Sequence, residues 1–168
     1  MPKSRTSKPR VSGRSNLEVE FLVHGGPRVP RAFVARATAA ILAELKKPGR
    51  LARKSRTTLA AADSLQLVFV TKPMMAKVNR EFRGKSYATD VLSFAPTEPG
   101  SLGELVFSLD VLKQQAKAHD MKFQDELGYM VLHGVLHLLG YDHEESEAGA
   151  RRMFRLQDKV FDAVRRRW

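Results

Sequence analysis

The segment from residue 123 to 143 constrains this 168-residue chain more than any other. Phe123, Leu127, Met130, Val131 and Leu138 recur at helical spacing and predict a helix with one apolar stripe that the fold must bury. His133 and His137 stand four residues apart at the edge of that stripe, which puts two imidazoles on one face with Cβ atoms roughly 6 Å apart. Gly140 follows Leu139 directly, where a helix needs a left-handed residue to turn the chain. The turn brings His143 back toward the pair. Three imidazole nitrogens can reach one ion at about 2.0–2.1 Å and leave a fourth tetrahedral position open, the arrangement of a catalytic site rather than a closed structural one. The chain has no cysteine, which excludes disulfides and thiolate zinc ribbons and leaves histidine and carboxylate as metal ligands. His24 and His119 lack such company and are expected as ordinary loop and surface residues.

The spacing H-x3-H-x2-G-x2-H matches that of the metzincin peptidases, H-E-x-x-H-x-x-G-x-x-H, at every position but one. Where those enzymes carry the glutamate that acts as general base, this chain has Gly134. The geometry for holding an ion is kept and the peptidase's base is missing. Metal-dependent proteolysis is therefore not expected.

A net charge of +11 and a pI near 10.3 predict a polyanionic partner. The charge is unevenly spread. Residues 1–16 carry five basic and no acidic side chains, residues 28–56 carry nine basic against one acidic, and Arg165, Arg166 and Arg167 lie near the C-terminal end. Residues 57–164 carry twelve basic against fifteen acidic. A nucleic acid would be gripped by the first third and the C-terminal end; the competing reading is a basic surface that serves solubility alone. No run of 18 apolar residues occurs, and the first 16 residues lack the apolar core of a secretory signal. A cytoplasmic protein with no membrane association is expected.

Residues 1–16, rich in Ser, Pro, Gly and Arg, predict a basic disordered arm, and residues 17–168 a single domain. Alternation over 17–23 predicts a strand, stopped by Gly25-Gly26-Pro27. Pro30 opens a helix whose Phe33, Val34, Ala37, Ile41 and Leu45 share a face, and Pro48-Gly49 closes it. A basic loop is expected over 48–58. The apolar run 65–70 reads as a buried strand, and Pro73 starts a helix ended by Gly84. Strands over 91–95 and 103–109 can pair as a hairpin, followed by helices near 110–119, 123–139 and 144–166. The expected class is α/β or α+β, a small mixed sheet packed by helices. The histidine site falls on a central helix and the turn after it.

Three separated segments resemble the YbeY endoribonucleases in sequence and order. They are His133-Gly134-Val135-Leu136-His137-Leu138-Leu139-Gly140-Tyr141-Asp142-His143, Val78-Asn79-Arg80-Glu81-Phe82-Arg83-Gly84-Lys85, and Thr89-Asp90-Val91-Leu92-Ser93-Phe94. The resemblance covers about residues 65–160. It implies that His133, His137 and His143 bind the metal, usually assigned as zinc; the residues themselves leave nickel and other divalent metals open. It implies that Arg83 lines the same cleft as a phosphate-contacting or catalytic residue, beside His133 and His137. The implied activity is single-strand-specific, metal-dependent endoribonuclease action in ribosomal RNA processing, ribosome maturation and ribosome quality control. Ribosomal RNA and the small ribosomal subunit are the implied partners. One departure is visible: the family commonly has Leu-Gly-Asp where this chain has Leu102-Gly103-Glu104, a side chain one methylene longer.

Charge alone reads Arg80, Arg83 and Lys85 as a solvated helix end, since a helix dipole favours cations there. Asp90 and Ser93 could be a strand cap and a sheet-face residue. The last helix, acidic at its start and ending in arginines, reads as structural first. Chemistry leaves the general base open between Glu104 and Asp142. The alternative function is a ribosome-associated RNA-binding factor with a structural metal and little nuclease activity.

Overall fold

The computed structural model describes residues 17–168, and the basic arm expected over residues 1–16 lies outside them. Strand β2 (Ser64–Val70) turns Leu65, Leu67 and Phe69 to one side and Val68 and Val70 to the other, all five buried. A strand apolar on both faces needs cover above and below. Strand β2 runs parallel to β1 (Glu18–Val23) and to β4 (Ser101–Ser108), and β4 pairs antiparallel with β3 (Val91–Phe94) as the expected hairpin. The sheet order is β1-β2-β4-β3. Helices α1 (Arg31–Leu45) and α2 (Arg53–Ala61) connect β1 to β2, and α3 (Lys72–Arg83) leads from β2 to β3. After β4 come α4 (Leu109–Ala118), α5 (Phe123–Leu138), α6 (Glu147–Val164) and a short turn of 3-10 helix, Arg165–Arg167. The mixed α/β sheet packed by helices is as expected.

The larger core lies between one sheet face and α1, α5 and α6; the smaller gathers Val68, Val70, Leu92 and Val106 under Met75 of α3. Helix α5 is central. Its buried side chains include Leu127, Leu132, Val135 and Leu136, a wider set than one stripe, because neighbours enclose it on several sides. Gly134 faces β4: a Cβ there would lie 2.7 Å from Leu105 Cδ2 and 3.3 Å from its Cγ. Position 134 therefore looks into the sheet. Gly103 sits in a bulge, with Ser64 opposite Ser101 but Gln66 opposite Glu104. Its φ of +131° and a virtual Cβ 2.5 Å from the Phe94 carbonyl oxygen leave room for glycine alone, and this lets the end of α5 approach the β3–β4 pair through Leu138.

Two expectations are corrected. The basic loop over 48–58 is in large part helix α2, which has a single large apolar residue, Leu59, and so gives no hydrophobic period. It is held by polar contacts instead. The buried Ser55 hydroxyl donates to the Leu139 carbonyl at 2.8 Å, and the Ala52 N–H donates to the Tyr141 hydroxyl at 3.2 Å. The last helix begins at Glu147 rather than 144, because Ser146 caps it by accepting the Gly149 N–H at 3.0 Å.

The carboxylate of Glu44, wholly buried on α1, meets Lys47 at 2.6 Å, Arg167 at 3.0 Å and Arg50. Burial alone would raise its pKa, but hydrogen bonds from Lys47, Arg50 and Arg167 outweigh that and hold it at about 2. Through Arg167 the cluster ties α1 to the C-terminal turn. Among the described residues no helix is long and apolar enough to cross a membrane.

Candidate metal centre

Helix α5 ends where its histidines are needed. Gly140, at φ +88°, donates its N–H to the His137 carbonyl at 2.9 Å, and Tyr141 donates to the Leu136 carbonyl at 3.0 Å. This paired closure reverses the chain and carries His143 back over the last turn. The Nε2 atoms of His133 and His137 lie 3.2 Å apart, and one nitrogen from each of the three imidazoles falls within 4.8 Å of the others. Two nitrogens bound tetrahedrally at 2.0–2.1 Å are about 3.3 Å from each other, so the His133–His137 spacing fits one ion. His143 Nδ1 is buried and has no hydrogen-bond partner, as a nitrogen reserved for another ligand requires. The three side chains can hold one metal ion.

The support around them sets their chemistry. Gln157 of α6, fully buried, donates its amide N–H to the Tyr129 carbonyl at 3.3 Å and so turns its oxygen to His133 Nδ1, 3.0 Å away. An acceptor there places the proton on Nδ1 and leaves the Nε2 lone pair free toward the ion site. Phe154, one turn earlier on α6, stands 5.4 Å from the His143 ring and 6.4 Å from the His133 ring, forming an apolar wall. Burial pushes His137 down to about 4, aided by its neighbours His133 and His143, and burial likewise lowers His133. Both are neutral at pH 7, as metal ligands must be.

The histidines open into a cleft of about 570 Å³ that is also lined by Arg83, Lys85, Tyr87, Asp90, Ser93, Asp142 and Glu144. Arg83 thus faces the histidines. Its guanidinium contacts the Glu144 carboxylate at 3.2 and 3.4 Å. With the side chains 39% and 61% exposed, this pair is weak and an incoming anion can displace it. Asp90 is a strand cap: its carboxylate accepts from the Val91 N–H at 2.7 Å, the Thr89 hydroxyl at 3.0 Å and the Gln115 amide at 3.1 Å. Ser93 reaches the cleft from β3. Asp142 lies in the cleft, but the Glu144 N–H on its Oδ1 at 2.7 Å holds its carboxyl below the usual range, which makes it a weak base.

Glu104 does not line this cleft. It faces a separate cavity of about 480 Å³ with Glu20, Gln66 and Phe94, and burial raises its pKa there against the opposing pull of His24. That placement removes it from the candidates for general base. His119 is a surface residue as expected, though its Nδ1 lies 3.0 Å from the buried Glu126 carboxylate. Sequence reasoning missed Gln157, Phe154, Glu144 and Tyr87. The only signal for Gln157 is an amide interrupting the apolar face of Met153, Val160, Phe161 and Val164.

Fold and site together define an α/β protein with a three-histidine cleft able to bind a metal ion. The chain belongs to the YbeY endoribonuclease family: the family model "Endoribonuclease YbeY" matches residues 34–165, which include every residue of the site. It is 49% identical over 148 residues to the Endoribonuclease YbeY of Bdellovibrio bacteriovorus, covering 88% of this chain and 95% of that one. It is 41% identical over 108 residues to the Endoribonuclease YbeY of Staphylococcus carnosus, covering 58% and 70%. A solution structure of a Thermotoga maritima protein shares the fold, with a TM-score of 0.58 at 23% identity over 86% of this chain and 87% of that one.

Proposed function

We propose that the chain is a metal-dependent endoribonuclease that cleaves single-stranded RNA during ribosomal RNA processing. Residues 17–168 act as one unit in the cytoplasm, on RNA of the small ribosomal subunit, in ribosome maturation and quality control. The observation that carries the reading is the convergence of three imidazoles and one arginine on a single cleft. Family membership supports the RNA substrate, and the two nearby cations Arg83 and Lys85 suit a phosphodiester. His133, His137 and His143 hold the ion, with zinc first and nickel second by donor type. A divalent ion held there supplies Lewis-acid polarisation of a phosphoryl oxygen.

The protein's own groups do the rest. Gln157 keeps the His133 proton on Nδ1, away from the ligand position. Phe154 limits water on one side. Arg83 exchanges Glu144 for a phosphate oxygen and stabilises the charge that grows there as the bond breaks. Asp142 stays ionised.

The test compares Arg83→Ala and Arg83→Lys with the parent protein on one preparation each, reading metal content, thermal stability, RNA affinity and single-turnover cleavage. Alanine lowers cleavage roughly 10²- to 10³-fold while RNA affinity changes far less and metal content not at all. Lysine restores part of the loss, because it keeps the charge without the planar fork. Wild-type cleavage by Arg83→Ala means that Arg83 has no catalytic part. A parent protein that binds RNA tightly with its metal in place and never cleaves is the binding factor instead.

A further inference from the structure

We propose that Tyr87 is the platform on which an unpaired RNA base stacks beside the histidine cleft, making the site selective for single strands. The proposal rests on the nuclease reading and adds to it a residue that meets the substrate. Tyr87 lines the same cleft as Arg83 and the histidines, yet it is 59% exposed. The other exposed aromatic rings are already engaged: Phe82 packs edge-on to Phe94 at 5.0 Å, and Phe154 lies 5.4 Å from His143. Tyr87 makes no ring contact among the described residues.

Its backbone, by contrast, is held from below. Asn79, buried on α3, donates its side-chain amide to the Tyr87 carbonyl at 2.7 Å, and its own carbonyl accepts the Lys85 N–H at 3.3 Å. Between them Gly84 closes α3 in left-handed backbone at φ +68°. The loop is thus pinned at two points to the last turn of α3 while the ring is left open. A large ring on a fixed backbone has little freedom to lose when a ligand covers it.

The chemistry of the neighbours selects the ligand. Every base offers a π face, so one exposed ring binds unpaired bases with little regard to sequence. In a duplex both faces are covered by adjacent base pairs and the ring has nothing to reach. Arg83 and Lys85 border the same cleft and supply cations for the phosphates next to the stacked base. The cavity on the far side of Pro96 is lined by Glu20, Glu98 and Glu104, which repel a phosphodiester chain. The strand therefore leaves the cleft on the Lys85 and Tyr87 side.

The probe is a short single-stranded oligoribonucleotide carrying one 2-aminopurine, compared with the blunt-ended duplex formed by the same strand and its complement, with binding read by anisotropy and stacking by 2-aminopurine emission. Tyr87→Ala should weaken single-strand binding roughly tenfold or more and remove the emission change, leaving duplex binding and metal content as they were. Tyr87→Phe should keep both signals, since the ring and not the hydroxyl does the stacking. A Tyr87→Ala protein that binds and quenches the single strand like the parent overturns the proposal. If that protein also cleaves, the nuclease reading survives alone. A parent protein that quenches the probe through Tyr87 but never cleaves RNA sinks the nuclease reading and leaves the stacking site standing.

Discussion

Gln157 shows how far a site able to hold a metal ion extends beyond its three histidines. The three histidines were legible because H-x3-H-x2-G-x2-H fits within one helix and one turn. Gln157 was not, because it reaches His133 from 24 positions away, on another helix. Only folding α6 against α5 reveals the contact. Gln157→Leu keeps the bulk and removes the acceptor that holds the His133 proton on Nδ1. Metal affinity should fall about 10- to 100-fold, measured by competition with a chromophoric chelator. Unchanged affinity would mean that His133 needs no orienting partner. Gly134 was legible only as a missing base. The structure adds that its position faces Leu105, so a side chain grown there meets the sheet.

At the scale of elements, the strands and α1 and α5 could be read because each carries an apolar period that the core uses, and α3 because Pro73 opens it and Gly84 ends it. Strand β2 is the clearest case, apolar on both faces because both are covered. Helix α2 gives no such signal because its attachment is polar and distant: one serine hydroxyl satisfies a carbonyl at the end of α5 that the helix itself leaves unpaired. Ser55→Ala should therefore cost about 1–2 kcal/mol, since it strands the buried Leu139 carbonyl next to the histidine turn. Urea unfolding of the variant checks this. A loss within error of zero would show that α2 is held by something else.

For the whole molecule, the Glu44 cluster makes stability depend on acid. The pKa of Glu44 is lowered in the folded state from 4.5 to about 2, so its contribution is fully present above about 4.5 and fades as pH falls toward 2. The shift corresponds to about 3 kcal/mol. Unfolding curves at about pH 5 and about pH 3 should show the parent losing more stability than Glu44→Gln, which has no carboxylate to protonate. Equal losses would contradict the ion cluster.

The sheet order β1-β2-β4-β3, with α5 laid over the β3–β4 pair, brings the histidines of one helix to the arginine that ends another. Sequence order alone does not place Arg83 and His137 in one cleft; the resemblance to YbeY enzymes implied it and the fold provides it. On the proposed function, RNA cleavage depends on an ion held by those histidines. This dependence is tested most directly by single-turnover cleavage of single-stranded RNA, with protein stripped of metal and the same protein reloaded with zinc. Stripping should abolish cleavage without unfolding the protein, one equivalent per chain should restore it, and His137→Ala should not be restored. Cleavage by the stripped protein at the rate of the reloaded one would contradict that dependence.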